Sequence, residues 1–297
     1  MIGAWAPALE VGGTHVAAGR VDVGARCVLP GSMRRLALDA DGPANAILDT
    51  ILACAGAVGS GPGVTWGVAV PGPFDYATGI ARYEGVAKFG ALKDLDVGGR
   101  LRDGLPRDSR VVFINDADAF VVGEWAAGAA IGHRRVVGIT LGTGIGSAFL
   151  ADGRPVTGGP DVPPDAEVHF LTIDGQSLED VVSRRAIMAR YARIVGIDDR
   201  GAVPDVHELA ALARAGDHRA REAIAAPLRE LGRALAPWLE RFGATGLVVG
   251  GSIAQSWDLV EPSLRAGLPP AILPVRSQLG DDAALIGAAL YAASSGA

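Results

Sequence analysis

The chain has 297 residues, of which 49% are apolar and 20% charged, so it is long enough for one large or two ordinary globular domains and is not a disordered protein. A net charge of −6 gives no broad basic surface, which argues against nucleic acid and anionic membranes as partners. Cys27 and Cys54 stand alone, without the spacing of a disulfide framework or a zinc site. Because the sequence has neither a leader-like N-terminus nor an apolar run of about 20 residues, we expect a cytoplasmic protein.

Apolar periodicity and turn residues predict alternating strands and helices along the chain. In chain order, the predicted elements are two or three strands over 8–29, a helix over 43–57, a strand and Pro-Gly-Pro turn over 64–75, a strand over 111–114, a helix over 117–131, a strand–turn–strand hairpin over 134–156, helices from about 178, a strand–turn–helix unit over 246–257 and a closing helix over 281–294. The best-defined helix covers 218–242, where apolar residues recur on one face and Asp217 is suited to cap the first turn.

Two stretches of the chain share one pattern, in which an apolar strand is followed by a turn of glycine and threonine and then by a second strand. These stretches are 9–22 and 139–152, and their repetition predicts two related α/β domains that face each other across a ligand-binding cleft. We expect a smaller domain at 1–114, joined by a C-terminal helix at about 281–297, and a larger domain at 115–280.

The two glycine turns have the composition of phosphate-binding loops, because a backbone without Cβ atoms can direct several N–H groups at one anion, and a threonine hydroxyl adds a donor. They consist of Gly12, Gly13 and Thr14 in the first copy and Gly142, Thr143 and Gly144 in the second. Neither turn matches the Walker A or GxGxxG pattern, and a plain hairpin turn would also use glycine. Their matched positions favour a shared phosphate-binding role.

A third glycine turn consists of Gly250 and Gly251, which follow an apolar strand and precede a predicted helix. Such a turn can bring a nucleotide close to the backbone at a helix N-terminus. A simple strand-to-helix turn with Ser252 as the helix cap explains the same residues equally well.

Glu10 is a carboxylate inside an apolar strand, immediately before the first glycine turn. A buried carboxylate beside a phosphate site is typical of Mg²⁺ binding, in which the protein holds the ion directly or through water. The alternative is an edge-strand residue that points into solvent.

Asn115 and Asp116 follow the apolar strand at 111–114. A carboxylate at the end of a strand can accept the proton of a substrate hydroxyl as that oxygen attacks phosphorus, and Asn115 can hydrogen-bond a neighbouring hydroxyl. The alternative is capping of the next helix. Capping needs only one of the two residues, however, and does not explain the carboxylate.

Glu167, His169 and Glu179 offer the hydrogen-bond donors and acceptors that a ring of sugar hydroxyls needs. A lone histidine is more often an ordinary surface or core residue. These three residues therefore indicate a sugar-binding site only in combination with the other motifs.

Together these motifs resemble the ROK family (repressors, open reading frames and kinases), whose enzymes are sugar kinases of the actin-like ATPase fold. The resemblance rests on the ordered segments EVGGTH, VPGP, INDADA, LGTGIGSAFLADGR, VVGGSI and LGDDAALIGAAL, which span nearly the whole chain. It implies two ribonuclease H-like α/β domains that flank a central cleft. It also implies an ATP-dependent kinase that phosphorylates the primary hydroxyl of glucose or a glucose-like acceptor.

The resemblance further implies a role for each motif. Asp116 would be the catalytic base, and Glu10 would hold Mg²⁺, most simply through water. The sugar would be bound by Gly72, Asn115, Asp116, Glu167, His169 and Glu179. ATP would be bound by Gly12, Gly13, Thr14, Gly142, Thr143, Gly144, Gly250 and Gly251.

The sequence departs from the family pattern mainly around the sugar. Glu10 replaces the usual aspartate of the first motif and lengthens the arm that reaches Mg²⁺. When the chain is aligned on His169, the usual sugar-binding glutamate falls on Ala166, so Glu167 could replace it only if the backbone is displaced by one residue. The zinc loop CxCGxxGC is missing, and no zinc is expected. The stretch after the VPG turn has Lys88 and lacks the asparagine that often meets the sugar.

These departures suggest retained chemistry on a shifted acceptor, so a C7-cyclitol, another hexose or an N-acetylhexosamine is an alternative to glucose. A non-catalytic sugar sensor or repressor is disfavoured, since family repressors carry a helix-turn-helix module where only nine residues precede Glu10. A hydrolase of the same fold would turn over ATP without any sugar. Family members are often dimers or tetramers, which makes a homodimer a candidate assembly.

Overall fold

The structure is a computed structural model of the chain, and it describes residues 5–86, 88–199 and 202–295. The strands are β1 (Trp5–Val11), β2 (His15–Asp22), β3 (Cys27–Val28), β4 (Arg34–Ala37), β5 (Thr65–Val70), β6 (Phe74–Asp75), β7 (Ile80–Ala81), β8 (Arg110–Asn115), β9 (Arg135–Leu141), β10 (Ile145–Ala151), β11 (Arg154–Pro155), β12 (Thr172–Ile173), β13 (Gln176–Ser177), β14 (Gly246–Gly250) and β15 (Pro274–Arg276). The α-helices are α1 (Ala44–Val58), α2 (Val97–Gly104), α3 (Asp116–Ala127), α4 (Leu178–Val182), α5 (Arg184–Val195), α6 (Val206–Arg214), α7 (His218–Phe242), α8 (Trp257–Arg265) and α9 (Asp282–Ser295).

The chain divides into two compact units, one formed by Met1–Gly128 with Asp281–Ala297 and the other by Ala129–Gly280. The boundary therefore follows α3, whereas the sequence predicted it near Asn115, before that helix. The physical reason for this correction is that α3 packs closely on α9 within the first unit.

Two glycines bring α3 and α9 into backbone contact. A Cβ atom at Gly123 would overlap the carbonyl group of Ala283, and one at Gly287 would overlap the carbonyl group of Ala119. Since any larger residue at these positions would push the helices apart, the two glycines fix α9 against α3.

The main sheet of the first unit has the strand order β3-β2-β1-β5-β8, with β4 also paired to β2. Strands β1 and β2 form an antiparallel hairpin, whereas β1, β5 and β8 run parallel. Glu10 pairs with Ala69, which in turn pairs with Ile114. The carboxyl ends of the three parallel strands therefore meet at one edge, which carries Glu10 and Asn115.

The main sheet of the second unit has the strand order β11-β10-β9-β14-β15. Strands β9 and β10 form an antiparallel hairpin, and β9, β14 and β15 run parallel. This arrangement repeats that of the first unit, in which a hairpin closed by a glycine turn also joins parallel strands. The structure thus shows the same pattern in the two stretches that the sequence repeats.

The longest helix, α7, covers the residues predicted for it. Its N-cap is Asp217, whose carboxylate accepts hydrogen bonds from the N–H groups of Arg219 and Ala220 at 2.8 and 3.2 Å. Its buried face carries Ile224, Leu228, Leu231, Leu235, Leu239 and Phe242. In the described part of the chain, no helix combines the length and the hydropathy needed to cross a membrane.

Candidate active site

Asn115 is the N-cap of α3. Its side-chain oxygen accepts hydrogen bonds from the N–H groups of Ala117 at 2.9 Å and Asp118 at 3.2 Å. Its Nδ2 donates a hydrogen bond to the hydroxyl of Tyr76 at 3.0 Å. Capping therefore accounts for the asparagine of the pair, and the carboxylate of Asp116 is not needed as the helix cap.

Asp116 is the first residue of α3 and lies half-buried at the edge of the sheet. Its Oδ1 accepts a hydrogen bond from the N–H of Ala117 at 2.9 Å. Burial raises the pKa of this carboxyl above its ordinary value, against smaller lowering effects of backbone N–H groups and of the positive charge on Lys88. A carboxylate in this state is a stronger base than one in water, as proton abstraction from an alcohol requires.

Glu10 lies in β1, which is flanked by β2 and β5, so the edge-strand alternative for this residue is wrong. Its Oε2 is buried, and no hydrogen-bond partner for it exists among the described residues. Burial first, and then the negative charge of Asp116, raise the pKa of the Glu10 carboxyl from 4.5 to about 7, although Arg35 opposes the shift.

The surroundings of Glu10 are suited to the Mg²⁺ ion that the sequence motifs imply. A buried carboxylate oxygen without a protein partner is a suitable ligand for Mg²⁺ or for one of its water molecules. Among the described residues, no cluster of three or more His, Cys, Asp or Glu side chains is arranged to hold a metal ion alone. The residues therefore fit an ion that Glu10 holds together with water and substrate oxygens, as is usual for Mg²⁺.

The first glycine turn closes the β1–β2 hairpin, where the N–H of Gly12 donates to the carbonyl of His15 at 2.9 Å. The carbonyl of Thr14 accepts a hydrogen bond from Leu38 at 2.9 Å, which ties the turn to the chain after β4. The side chain of Lys88 lies against Gly13, with its Nζ 2.7 Å from the ideal Cβ position of that glycine. Any side chain at position 13 would therefore displace the lysine.

Gly72 lies in the turn after β5, at the same edge of the sheet, and forms a cis peptide bond with Pro73. Two tyrosines support this turn. The hydroxyl of Tyr83 donates to the carbonyl of Pro71 at 2.9 Å, and that of Tyr76 lies 3.4 Å from the carbonyl of Val70. Burial raises the pKa of both phenols, so both hydroxyls keep their protons and can donate these hydrogen bonds.

In the second unit, the glycine turn of the β9–β10 hairpin is closed by a hydrogen bond of 3.0 Å from the N–H of Gly142 to the carbonyl of Gly144. Thr143, between them, is exposed. Glu179, in α4, lies against this turn: its Oε2 accepts from the N–H of Ile145 at 3.3 Å and is 2.6 Å from the ideal Cβ position of Gly144. The structure thus places Glu179, which the sequence assigned to the sugar, on the proposed phosphate turn.

Gly250 ends β14, and Gly251 follows it with a φ of 86°. A Cβ atom at Gly251 would overlap the backbone of Leu141, at the end of β9. Ser252 makes no side-chain capping hydrogen bond, although its Oγ lies 3.7 Å from the ideal Cβ position of Gly142. The third glycine turn therefore lies beside the second within this unit, and helix capping by Ser252 does not explain it.

Glu167 and His169 form a pair, with Oε2 and Nδ1 3.2 Å apart. They follow an irregular segment in which both Asp165 and Ala166 have positive φ angles. The carbonyl of Ala166 accepts a hydrogen bond from the hydroxyl of the buried Ser147 at 2.7 Å. Ala166 is itself buried, so Glu167, which is about one-third exposed, is the glutamate that stands next to the histidine.

The sequence motifs do not point to Tyr76 or Tyr83, and they mark Lys88 only as a departure from the family pattern. The structure places all three residues at the candidate site of the first unit. The signal for the tyrosines was weak but present, because two tyrosines follow the VPGP turn within 12 residues of it in a chain with only 4. No local sequence pattern predicts that the side chain of Lys88 lies against Gly13.

The two α/β units, each with a hairpin closed by a glycine turn and parallel strands beyond it, define a protein of the actin-like ATPase fold. The ROK hexokinase of Thermus thermophilus matches with a TM-score of 0.77 and 25% identity over 98% of this chain and 99% of that one. The ROK family glucokinase of Streptomyces griseus, solved with glucose and AMPPNP, has a TM-score of 0.78 and 23% identity over 98% of this chain and all of that one.

The sequence profile described as the ROK family matches residues 7–295, and the chain belongs to this family. A glucokinase of Thermotoga maritima is 29% identical over 75% of this chain and 77% of its own length. An N-acetyl-D-glucosamine kinase of Escherichia coli O6:H1 is 27% identical over 94% of this chain and 96% of its own length. The relatives of this protein thus include kinases named for two different sugars, glucose and N-acetyl-D-glucosamine.

Proposed function

We propose that this protein is an ATP-dependent kinase that phosphorylates the primary hydroxyl of glucose or of a glucose-like acceptor. The observation that carries the proposal is the arrangement at Asn115 and Asp116. Asn115 supplies the helix cap, which leaves a half-buried carboxylate of raised pKa at the end of a parallel strand. The names of the sugar kinases among its relatives support the same reaction.

The base in this proposal is Asp116. Its carboxylate would accept the proton of the acceptor hydroxyl as that oxygen forms a bond to the γ-phosphorus of ATP. The bond from that phosphorus to the bridging oxygen breaks, and ADP leaves. The raised pKa of the carboxyl makes it a better proton acceptor at neutral pH than an ordinary aspartate.

The acceptor would be held by hydrogen bonds to its hydroxyl groups. In the first unit, the amide of Asn115 and the backbone of Gly72 are the proposed partners. In the second unit, we assign this role to Glu167 and His169, and to Glu179 through the carboxylate oxygen that does not accept the hydrogen bond from Ile145. The Glu167–His169 pair offers an acceptor oxygen and a ring nitrogen side by side, which suits two adjacent hydroxyls.

The nucleotide would be held by backbone N–H groups. The proposed phosphate turns are Gly12, Gly13 and Thr14 in the first unit and Gly142, Thr143 and Gly144 in the second. Gly250 and Gly251 would lie against the adenosine, since this turn adjoins the second phosphate turn and a larger residue at Gly251 would overlap Leu141.

Magnesium would be held by Glu10, most simply through water, because its Oε2 is a buried oxygen without a partner among the described residues. When bound, Mg²⁺ neutralises charge on the phosphate oxygens and orients them for transfer. Glu10 would hold Mg²⁺ in its ionised form, and a bound cation would itself favour ionisation of this carboxyl.

Glucose is the proposed acceptor, and a C7-cyclitol, another hexose or an N-acetylhexosamine is the alternative. Two observations support an altered acceptor site. The buried Ala166 stands at the position aligned with the usual sugar-binding glutamate, and the stretch after the VPG turn lacks the asparagine that often meets the sugar. Because a site built for particular hydroxyls rejects analogues that lack them, these changes affect which acceptor is phosphorylated.

The experiment that tests the proposal measures ADP release with Mg·ATP across glucose, mannose, N-acetylglucosamine, N-acetylmannosamine and C7-cyclitols. We expect turnover with at least one acceptor and a loss of about 10²-fold or more in Asp116→Asn, given the usual contribution of a general base. If turnover is unchanged in Asp116→Asn, Asp116 is not the catalytic base. ATP hydrolysis that needs no acceptor would indicate a hydrolase, and acceptor binding without turnover would indicate a sensor.

A further inference from the structure

Lys88 reaches the first glycine turn from a loop outside the main sheet. The ideal Cβ position of Gly13 is 2.6 Å from Lys88 Cδ, 2.8 Å from its Cε and 2.7 Å from its Nζ. The lysine side chain thus occupies the space that the glycine leaves open. An anion held by the backbone of Gly12–Thr14 would meet this ammonium group directly.

The ammonium of Lys88 is available to such an anion. No ion pair to Lys88 occurs among residues 5–86, 88–199 and 202–295, whereas Lys93, on the same loop, pairs with Glu84 at 2.6 Å. The charge of Lys88 nevertheless reaches the proposed base, since it lowers the pKa of the Asp116 carboxyl. Lys88 therefore contacts the proposed phosphate turn and acts electrostatically on the residue that would deprotonate the acceptor.

We propose that Lys88 is a further catalytic residue, whose ammonium group contacts the phosphoryl group during its transfer from ATP. This inference rests on the proposed kinase function and adds a residue to it. The transferred phosphoryl group would have to pass between the Gly12–Thr14 turn and Asp116. The turn would hold the donor phosphates, and Asp116 would face the acceptor hydroxyl.

The chemistry of the transfer favours a positive charge at this place, in addition to that of Mg²⁺. As the acceptor oxygen bonds to the γ-phosphorus, the bond from phosphorus to the β–γ bridging oxygen breaks, the hydroxyl proton passes to Asp116, and ADP takes the electron pair of the broken bond. The peripheral oxygens of the phosphoryl group stay negatively charged throughout. An ammonium is a compact point charge with three rotatable donors, so it can follow these oxygens as they move from donor to acceptor.

The test compares Lys88→Met with Lys93→Met, which removes a lysine from the same loop but not from the glycine turn. For Lys88→Met we expect kcat to fall by roughly 10²- to 10³-fold, the usual loss when one charge-stabilising donor is removed. The KM for the acceptor should change by less than about threefold, because the lost contact belongs to the phosphoryl group. Lys93→Met should retain wild-type kcat.

A binding measurement separates this inference from the proposed function. Calorimetry with Mg·AMPPNP and Mg·ADP should show that Lys88→Met loses affinity for AMPPNP by about tenfold or more while its affinity for ADP stays close to wild type. That result supports the role of Lys88 even if no sugar is phosphorylated by the wild type. If the wild type is an active kinase and Lys88→Met matches it in kcat and in AMPPNP affinity, the inference is wrong and the kinase function stands.

A chemical rescue distinguishes lost charge from altered structure. In a Cys27→Ser background, which removes the exposed cysteine, Lys88→Cys can be aminoethylated with 2-bromoethylamine to restore an ammonium of nearly the same reach. We expect aminoethylation to raise the kcat of this variant by at least about tenfold, because it restores the positive charge. No recovery, or a rise in acceptor KM at unchanged kcat, would overturn the assignment to the phosphoryl group.

Discussion

The side-chain amide of Asn115 joins α3 to Tyr76. Its oxygen caps the helix, and its Nδ2 donates a hydrogen bond of 3.0 Å to the tyrosine hydroxyl. Both ends of the amide are thus fixed, which orients the group that would meet the acceptor next to the proposed base. If Asn115 binds the acceptor as proposed, Tyr76 would act on the acceptor through Asn115.

The change Tyr76→Phe tests this relationship. It leaves Nδ2 of Asn115 without its partner, so we expect the KM for the acceptor to rise by roughly 3- to 10-fold and the free energy of unfolding to fall by about 1 kcal/mol. Steady-state kinetics and urea unfolding measure the two effects. Tyr191→Phe, whose hydroxyl lies 3.4 Å from Asp217 in the second unit, is the control and should leave the KM unchanged. An unchanged KM in Tyr76→Phe would exclude the positioning role.

Glu10→Gln should stabilise the protein in a pH-dependent way when no Mg²⁺ is present. The pKa of the Glu10 carboxyl is 4.5 when unperturbed and about 7 in the folded protein, so ionisation opposes folding as the pH rises through this window. Glutamine carries no charge and avoids the cost. We expect the advantage of Glu10→Gln to be small near pH 4.5 and to reach up to about 3 kcal/mol above pH 7.

Urea unfolding at a series of pH values in the presence of EDTA measures this advantage. The exposed Glu240 provides the control, since Glu240→Gln removes a carboxylate from a helix surface and should show no such trend. Mg·ATP should then stabilise the wild type more than Glu10→Gln, because the variant lacks the ionised oxygen. A Glu10→Gln advantage that does not change with pH would contradict the burial of this charge.

The pH profile of kcat/KM should report the coupling between Lys88 and Asp116. Burial raises the pKa of the Asp116 carboxyl, so the acid limb of the wild type should lie above the ordinary aspartate range. Lys88 lowers that pKa, so its removal in Lys88→Met should move the acid limb to higher pH. Lys93→Met is the matched control and should leave the limb in place. A shift of the Lys88→Met limb to lower pH would be incompatible with the structure.

The elements that depend on local chemistry could be predicted from the sequence. The glycine turns of both hairpins and the Asp217 cap of α7 follow from residue types at fixed spacing, and the structure shows them where they were predicted. The prediction for the helix after Asn115 ran too far, to 131, because Gly128 ends α3 after Ala127.

The rest depends on contacts between distant residues. Tyr76 meets Asn115 from 39 positions away, and Lys88 meets Gly13 from a loop that no periodicity describes. Glu10 lies in the interior of a sheet because of the strand order, which no local sequence pattern predicts.

Gly123 and Gly287 lie in the packing contact that places α9 in the first unit. A methyl group at either position would overlap a backbone carbonyl of the facing helix, so Gly123→Ala or Gly287→Ala should lower the free energy of unfolding by about 3 kcal/mol or more. Gly56→Ala is the matched control. Gly56 lies on the exposed side of α1 with nothing within 4 Å of its ideal Cβ position, so alanine there should stabilise the protein by roughly 0.5–1 kcal/mol. Urea unfolding of the three variants measures these changes, and equal effects of the three would show that α3 and α9 are not in backbone contact.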